Sequence, residues 1–133
     1  MNMNDITNRT DIEHLIDTFY SKVRKDDLLG PIFDTIIGND WSHHLPIMYK
    51  FWDMVLFSAP GYAGSPVRKH TDIDKKMPMD RPHFDRWLAI WIETVDEMFV
   101  GEYADMAKNK ASLMANLIHM KIQMSREGFE TLN

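Results

Sequence analysis

The stretch TDIEHLIDTFYSKVRK, Thr10 to Lys25, decides the fold class. Ile12, Leu15, Ile16, Phe19, Tyr20 and Val23 recur at the spacing of one face of an α-helix, not at the alternation of a strand. Thr10 and Glu13 have the spacing of a capping box, with the hydroxyl accepting from the Glu13 N–H and the carboxylate reaching back. The helix is therefore expected to open there and run to about Lys25. Downstream, Leu29-Gly30-Pro31 ends that element, and a short apolar piece, Ile32 to Ile37, is broken by Gly38-Asn39-Asp40. Leu45, Met48, Phe51, Trp52, Val55 and Leu56 keep helical spacing from about Ser42 to Phe57. Pro46 lies within that stretch and has no N–H to give, so it is expected in the first turn. Ala59 to Val67 reads as a Gly/Pro loop, followed by His70 on a short helix. Asp80 is the expected N-cap of a helix carrying Phe84, Trp87, Leu88, Trp91, Val95, Met98 and Phe99. After Gly101, a last helix turns Tyr103, Ala107, Ala111, Met114, Ile118 and Ile122 one way and ends before Gly128. No stretch alternates with period two, and no repeat or linker interrupts the chain. The expectation is an all-α single domain over residues 1–133, with its core at about 10–125 and short flexible termini.

A chain of 133 residues, 44% hydrophobic and 26% charged, has the balance of a protein that buries one core. Its net charge of −5, without any basic stripe, argues against a nucleic-acid surface, because neutralising phosphates needs clustered cations. Having no cysteine, it forms neither a disulfide framework nor a thiolate metal site. The opening MNMNDITNRTD lacks the apolar core of a signal peptide, and no apolar run reaches membrane-helix length. A soluble, cytoplasmic monomer without membrane or nucleic-acid partners is expected. Eleven methionines suit a core that wraps an irregular object, although core packing alone also explains methionine.

Four polar side chains lie on or beside the apolar stripes: Tyr20, His44, His70 and Trp87. Read alone, Tyr20 and His44 are as readily side chains whose tips reach solvent. His70, in Val67-Arg68-Lys69-His70-Thr71-Asp72, could bind a metal as neutral imidazole through one nitrogen while the other donates to a carbonyl or carboxylate. Read alone, it is equally a solvated histidine. Asp72 and Asp74 nearby raise a non-haem metal site as an alternative, although two acids in a charged turn are more often solvated. The chain carries no H-E-x-x-H zinc signature, glycine-rich phosphate loop or nucleophile elbow.

Together these residues form a pattern. Phe19-Tyr20-x-x-Val23, Gly30-Pro31-Ile32-Phe33, His44 followed by Phe51-Trp52, Gly61-x-x-Gly64-x-Pro66-x-x-x-His70 and His83-x-x-x-Trp87-Leu88 occur in an order and spacing that resemble a truncated haemoglobin, from about Ile12 to Ile122. The double-glycine signatures of other branches are missing, which makes the chain most similar to group III. The resemblance implies helices packed two over two around haem b, iron protoporphyrin IX. It implies that His70 is the proximal iron ligand and that Tyr20, His44 and Trp87 line the distal, ligand-binding side. Phe33 packs on the haem face by the same match, Met48 and Phe51 neighbour His44, and Trp52 belongs to the haem pocket. Arg68, Lys69, Lys76 and Arg81 are the cations it offers to haem propionates. The implied activity is reversible binding of a diatomic ligand, dioxygen, nitric oxide or carbon monoxide, at five-coordinate iron with high retention. A haem enzyme detoxifying nitric oxide (a dioxygenase) or peroxide, fed by an external reductase, is the first alternative. A haem-free helical interaction module is the second.

Overall fold

The computed structural model describes residues 3–128. Six helices follow one another: α1 Arg9–Lys25, α2 Gly30–Ile37, α3 Trp41–Phe57, α4 Pro66–Lys76, α5 Arg81–Met98 and α6 Glu102–Arg126, with no strand among the described residues. None of these helices is long and apolar enough to cross a membrane. The six residues of the α1 stripe, Ile12 to Val23, are all buried, as their spacing predicts. The start of α1 differs from expectation. Asn8, in extended conformation, is the N-cap, and its side chain accepts from the Asp11 N–H. Glu13 instead pairs with Arg9, one turn earlier at 3.2 Å, so the Thr10–Glu13 capping box does not form.

Gly30 and Pro31 open α2 rather than merely ending what precedes it. A Cβ at residue 30 would lie 2.8 Å from the Arg24 carbonyl oxygen, so the α1–α2 corner can close this tightly only on glycine. Helix α3 begins at Trp41, one residue earlier than expected, which places Pro46 in the second turn rather than the first. The proline is tolerated there because both it and Ser42, whose carbonyl loses its helical donor, are exposed and water can serve that oxygen. Ser65 caps α4 by accepting from the Arg68 N–H at 3.2 Å, with Pro66 as the first helical residue. Asp80 caps α5 as predicted, and the reciprocal bond goes from the Asp80 N–H to His83 Nδ1 at 2.9 Å.

Helix α1 packs on α3 and α5 on α6, and the two pairs meet through α1–α5 and α3–α6. This is the two-over-two arrangement of a truncated globin. At its centre Trp91, fully buried, stacks on Trp52 at 4.4 Å and donates its indole N–H to the Ala107 carbonyl at 3.1 Å. A smaller cluster, Met79, Ile118 and Ile122, lies beneath α4.

Order also extends upstream of residue 10. Ile6 is completely buried, and the Asp5 carboxylate accepts from the N–H groups of Tyr103 at 2.9 Å and Ala104 at 2.8 Å, capping α6 from 98 residues away. Burial works to raise the Asp5 pKa, but the bonds from Tyr103, Ala104 and Ile6 outweigh it and hold the carboxyl below its usual value of 3.8. A folded-state pKa below the unfolded one gives stability that is complete above the unfolded value and is lost as pH falls through the folded value. Asp5→Ala is expected to cost about 1–2 kcal/mol in urea denaturation at neutral pH. The gap between wild type and variant should close only in acid below the usual carboxylate range.

Candidate functional site

A cavity of about 420 Å³ lies between the helices, and all eight side chains singled out from the sequence line it. Tyr20 comes from α1, Phe33 from α2, His44, Met48, Phe51 and Trp52 from α3, His70 from α4 and Trp87 from α5. Its size falls within the roughly 300–1,000 Å³ of small-molecule sites. The wall is largely apolar. Helix α2 shows this most clearly, because its one fully buried residue is Gly30, while Ile32, Phe33, Ile36 and Ile37 all turn to the cavity.

Three polar groups on the wall, His70, His44 and Tyr20, have a defined state. The Nδ1 of His70 lies 2.6 Å from the Pro66 carbonyl oxygen, one turn back on α4. A carbonyl can only accept, so Nδ1 carries the proton and Nε2 keeps its lone pair. Burial lowers the His70 pKa, with the Pro66 bond opposing and Lys69 assisting, so the ring is neutral at physiological pH. His44 is the fourth residue of α3, and its Nε2 is buried with no hydrogen-bond partner. Its ring stands edge-on to Tyr20 at 5.5 Å and to Trp41 at 5.6 Å. Burial lowers its pKa too, aided by Lys69 and His43. The early start of α3 is what turns His44 inward despite Pro46.

Tyr20 is 7% exposed, and burial alone pushes its phenol well above the usual pKa, so the hydroxyl is a neutral donor. Trp87 lies parallel to Trp91 at 6.1 Å. Phe19 holds both donors in place, meeting Tyr20 edge-on at 5.0 Å and Trp87 at 5.7 Å. Phe33 stands edge-on to Tyr20 at 5.8 Å, and Phe51 packs between Trp52 at 5.6 Å and Tyr62 at 5.1 Å.

The cations sort themselves by position. Among Arg68, Lys69, Lys76 and Arg81, Lys69 alone lines the cavity, and Arg81 pairs with Asp85 at 3.0 Å. The metal site built on Asp72 and Asp74 does not form. Asp74 is buried and bound to Arg126 at 2.6 Å, and no group of three or more ligating side chains comes together among the described residues. Asp74 is therefore neither solvated nor a ligand.

Several wall residues were legible only as core. Phe19, Trp91, Phe84, Met114 and Ile118 belong to helical stripes, and sequence spacing does not separate a residue facing a cavity from one facing another helix. The position of Trp91, one turn after Trp87 on the same face, was a usable signal. Tyr62 sits in the Gly/Pro loop, where no periodicity operates.

Comparison with known proteins places this arrangement. The chain is 32% identical over 112 residues to a group 3 truncated haemoglobin of Campylobacter jejuni, a match covering 82% of this chain and 86% of that protein. The crystal structure of a group III truncated haemoglobin from Campylobacter jejuni superposes with a TM-score of 0.83 at 29% identity, over 91% of this chain and 95% of that one. No family model matches the chain.

Proposed function

The chain belongs to the group III truncated haemoglobins, and we propose that it binds haem b and holds a diatomic gas with high retention. The observation that carries this reading is His70, a neutral imidazole on a largely apolar cavity whose Nδ1–H is committed to the Pro66 carbonyl and whose Nε2 lone pair is free to ligate iron. The residues present fit the cofactor in two further respects. The apolar face of α2, only partly covered by the core, leaves room for an apolar neighbour, and the His44 Nε2 is an orphaned buried polar atom.

When bound, haem would supply an iron able to take a small diatomic molecule, and the polarity of the side chains around that molecule would decide what binds. His70 would hold the cofactor through Nε2. Phe33, Met48, Phe51 and Trp52 exclude water and wall the ring in. Tyr20 O–H and Trp87 N–H are the donors toward negative charge developing on the gas, and His44, neutral at physiological pH, completes that side. Lys69 is the cation on the wall suited to a propionate. Two such donors would favour dioxygen over the less polarised carbon monoxide. The same donors suit turnover of nitric oxide or peroxide, for which an external reductase supplies the electrons.

Titrating the purified protein, stripped of any cofactor, with haemin tests this reading. A Soret band that saturates at one haem per chain is the expected result. Protein that stays colourless after growth with haem and gains no band on titration overturns it.

A further inference from the structure

Helix α4 carries His70, yet none of its apolar side chains is fully buried, and Val67 and Ile73 pack only partly buried against the cluster of Met79, Ile118 and Ile122. Its only buried residues are Thr71 and Asp74, and the Thr71 hydroxyl is spent on its own helix, donating to the Arg68 carbonyl at 2.9 Å. The principal neighbour of α4 is α6. Beside that partial apolar packing, the tie between the two is polar. Arg126, the last residue of α6, grips Asp74 with two nitrogens, Nε to Oδ2 at 3.0 Å and NH2 to Oδ1 at 2.6 Å. The same guanidinium donates to the Met79 carbonyl at 2.9 Å and to Asp80 Oδ1 at 2.8 Å, while Asp74 Oδ1 also accepts from the Met79 N–H at 2.8 Å. One arginine thus fastens the end of α4, the turn after it and the N-cap of α5 to the end of α6.

Asp74 follows His70 by four residues, one turn along the same helical face. Resting on the haem reading above, we propose that Arg126 and Asp74 are positioning residues for His70, holding α4 in the one placement that presents Nε2 to the iron. A planar two-pronged grip fixes direction as well as distance, which a single apolar contact or a lysine does not. The side chain of Asp74 is 7% exposed and that of Arg126 32%, so the carboxylate end of the grip is screened less by salt than a surface pair is. Helix α4 makes no other side-chain hydrogen bond or ion pair to another helix among the described residues, and loosening the grip leaves it only the partly buried Val67 and Ile73, while the larger core around Trp91 stays packed.

The test compares Arg126→Gln with Arg86→Gln. Arg86 pairs at 2.7 Å with Asp26, a carboxylate whose side chain is equally buried but lies at the α1–α2 corner, away from α4. In the haem-loaded protein, Arg126→Gln is expected to shift or broaden the iron–histidine stretching band of the ferrous form and to speed haemin loss from the ferric form to an acceptor apoprotein about tenfold, within the range of outer-shell effects on metal affinity. Arg126→Lys should recover only part of the band, and Arg86→Gln should leave both readouts as in wild type. In the cofactor-free protein, amide exchange in residues 66–76 should accelerate for Arg126→Gln alone. Changes shared equally by Arg86→Gln, or an unmoved band together with unmoved exchange, overturn the proposal. A wild type that takes up no haemin defeats the functional reading instead, and the exchange comparison then decides the clamp.

Discussion

Replacing His70 by alanine is expected to weaken haem uptake by about a hundredfold or more, exceeding the loss from removing an outer-shell partner, because the bond to the metal itself is gone. The fold should tolerate the change. His70 is only partly buried, it makes one hydrogen bond, and that bond runs to a carbonyl in the first turn of its own helix. Alanine is also the best helix former, so α4 loses no propensity. A fall in affinity with an unchanged circular-dichroism melt therefore reports ligation and not folding. Free imidazole added to His70→Ala should occupy the space left and restore the five-coordinate ferrous spectrum, whereas His44→Leu should keep haem uptake near wild type. An alanine variant that takes up haemin as tightly as wild type would remove His70 from the role of iron ligand.

How much of this could be read in the sequence depended on the distance over which each feature is decided. The α1 stripe is local, repeating within four residues, and all six of its members are buried where the spacing puts them. The N-cap of the same helix is also local, but Asn8 and Thr10 both offer a capping oxygen two positions apart, and the contest is settled by where the chain arrives from, which Ile6 determines by entering the core. Pro46 misled because exposure, not helix position, makes it tolerable. Asp5 and Asp74 were illegible for a plainer reason: their partners lie 98 and 52 residues away, and a carboxylate carries no periodic signal that points across such a gap. The site was legible in a different way. Spacing alone left His70 a histidine that water could equally well surround, and only the joint resemblance to a truncated haemoglobin gathered it with Tyr20, His44 and Trp87. The structure brings all four to one cavity wall.

Tyr20→Phe and Trp87→Phe are each expected to raise the dioxygen off-rate about tenfold, since a hydrogen bond worth about 1.4 kcal/mol in a dry pocket converts to that factor. The tyrosine change is the cleaner of the two. Burial alone accounts for the raised pKa of the phenol, with no hydrogen-bond partner contributing among the described residues, so phenylalanine deletes a donor and breaks no protein bond. The tryptophan change also shortens a ring that lies parallel to Trp91, and part of its effect will be packing. The two should not simply add. Both donors rest edge-on against the same buried ring, Phe19, and both address the same small ligand, so removing one lets the other reorient toward it. The double variant is therefore expected to exceed either single one but to differ from their product, and that difference measures the coupling between the two donors through Phe19 and the shared ligand together. Carbon monoxide, which takes up less negative charge from iron, supplies the control: its off-rate should change several-fold less in the same variants. Stopped-flow displacement of both gases provides the measurement, and dioxygen off-rates unchanged in both single variants would end the account of high retention by paired donors.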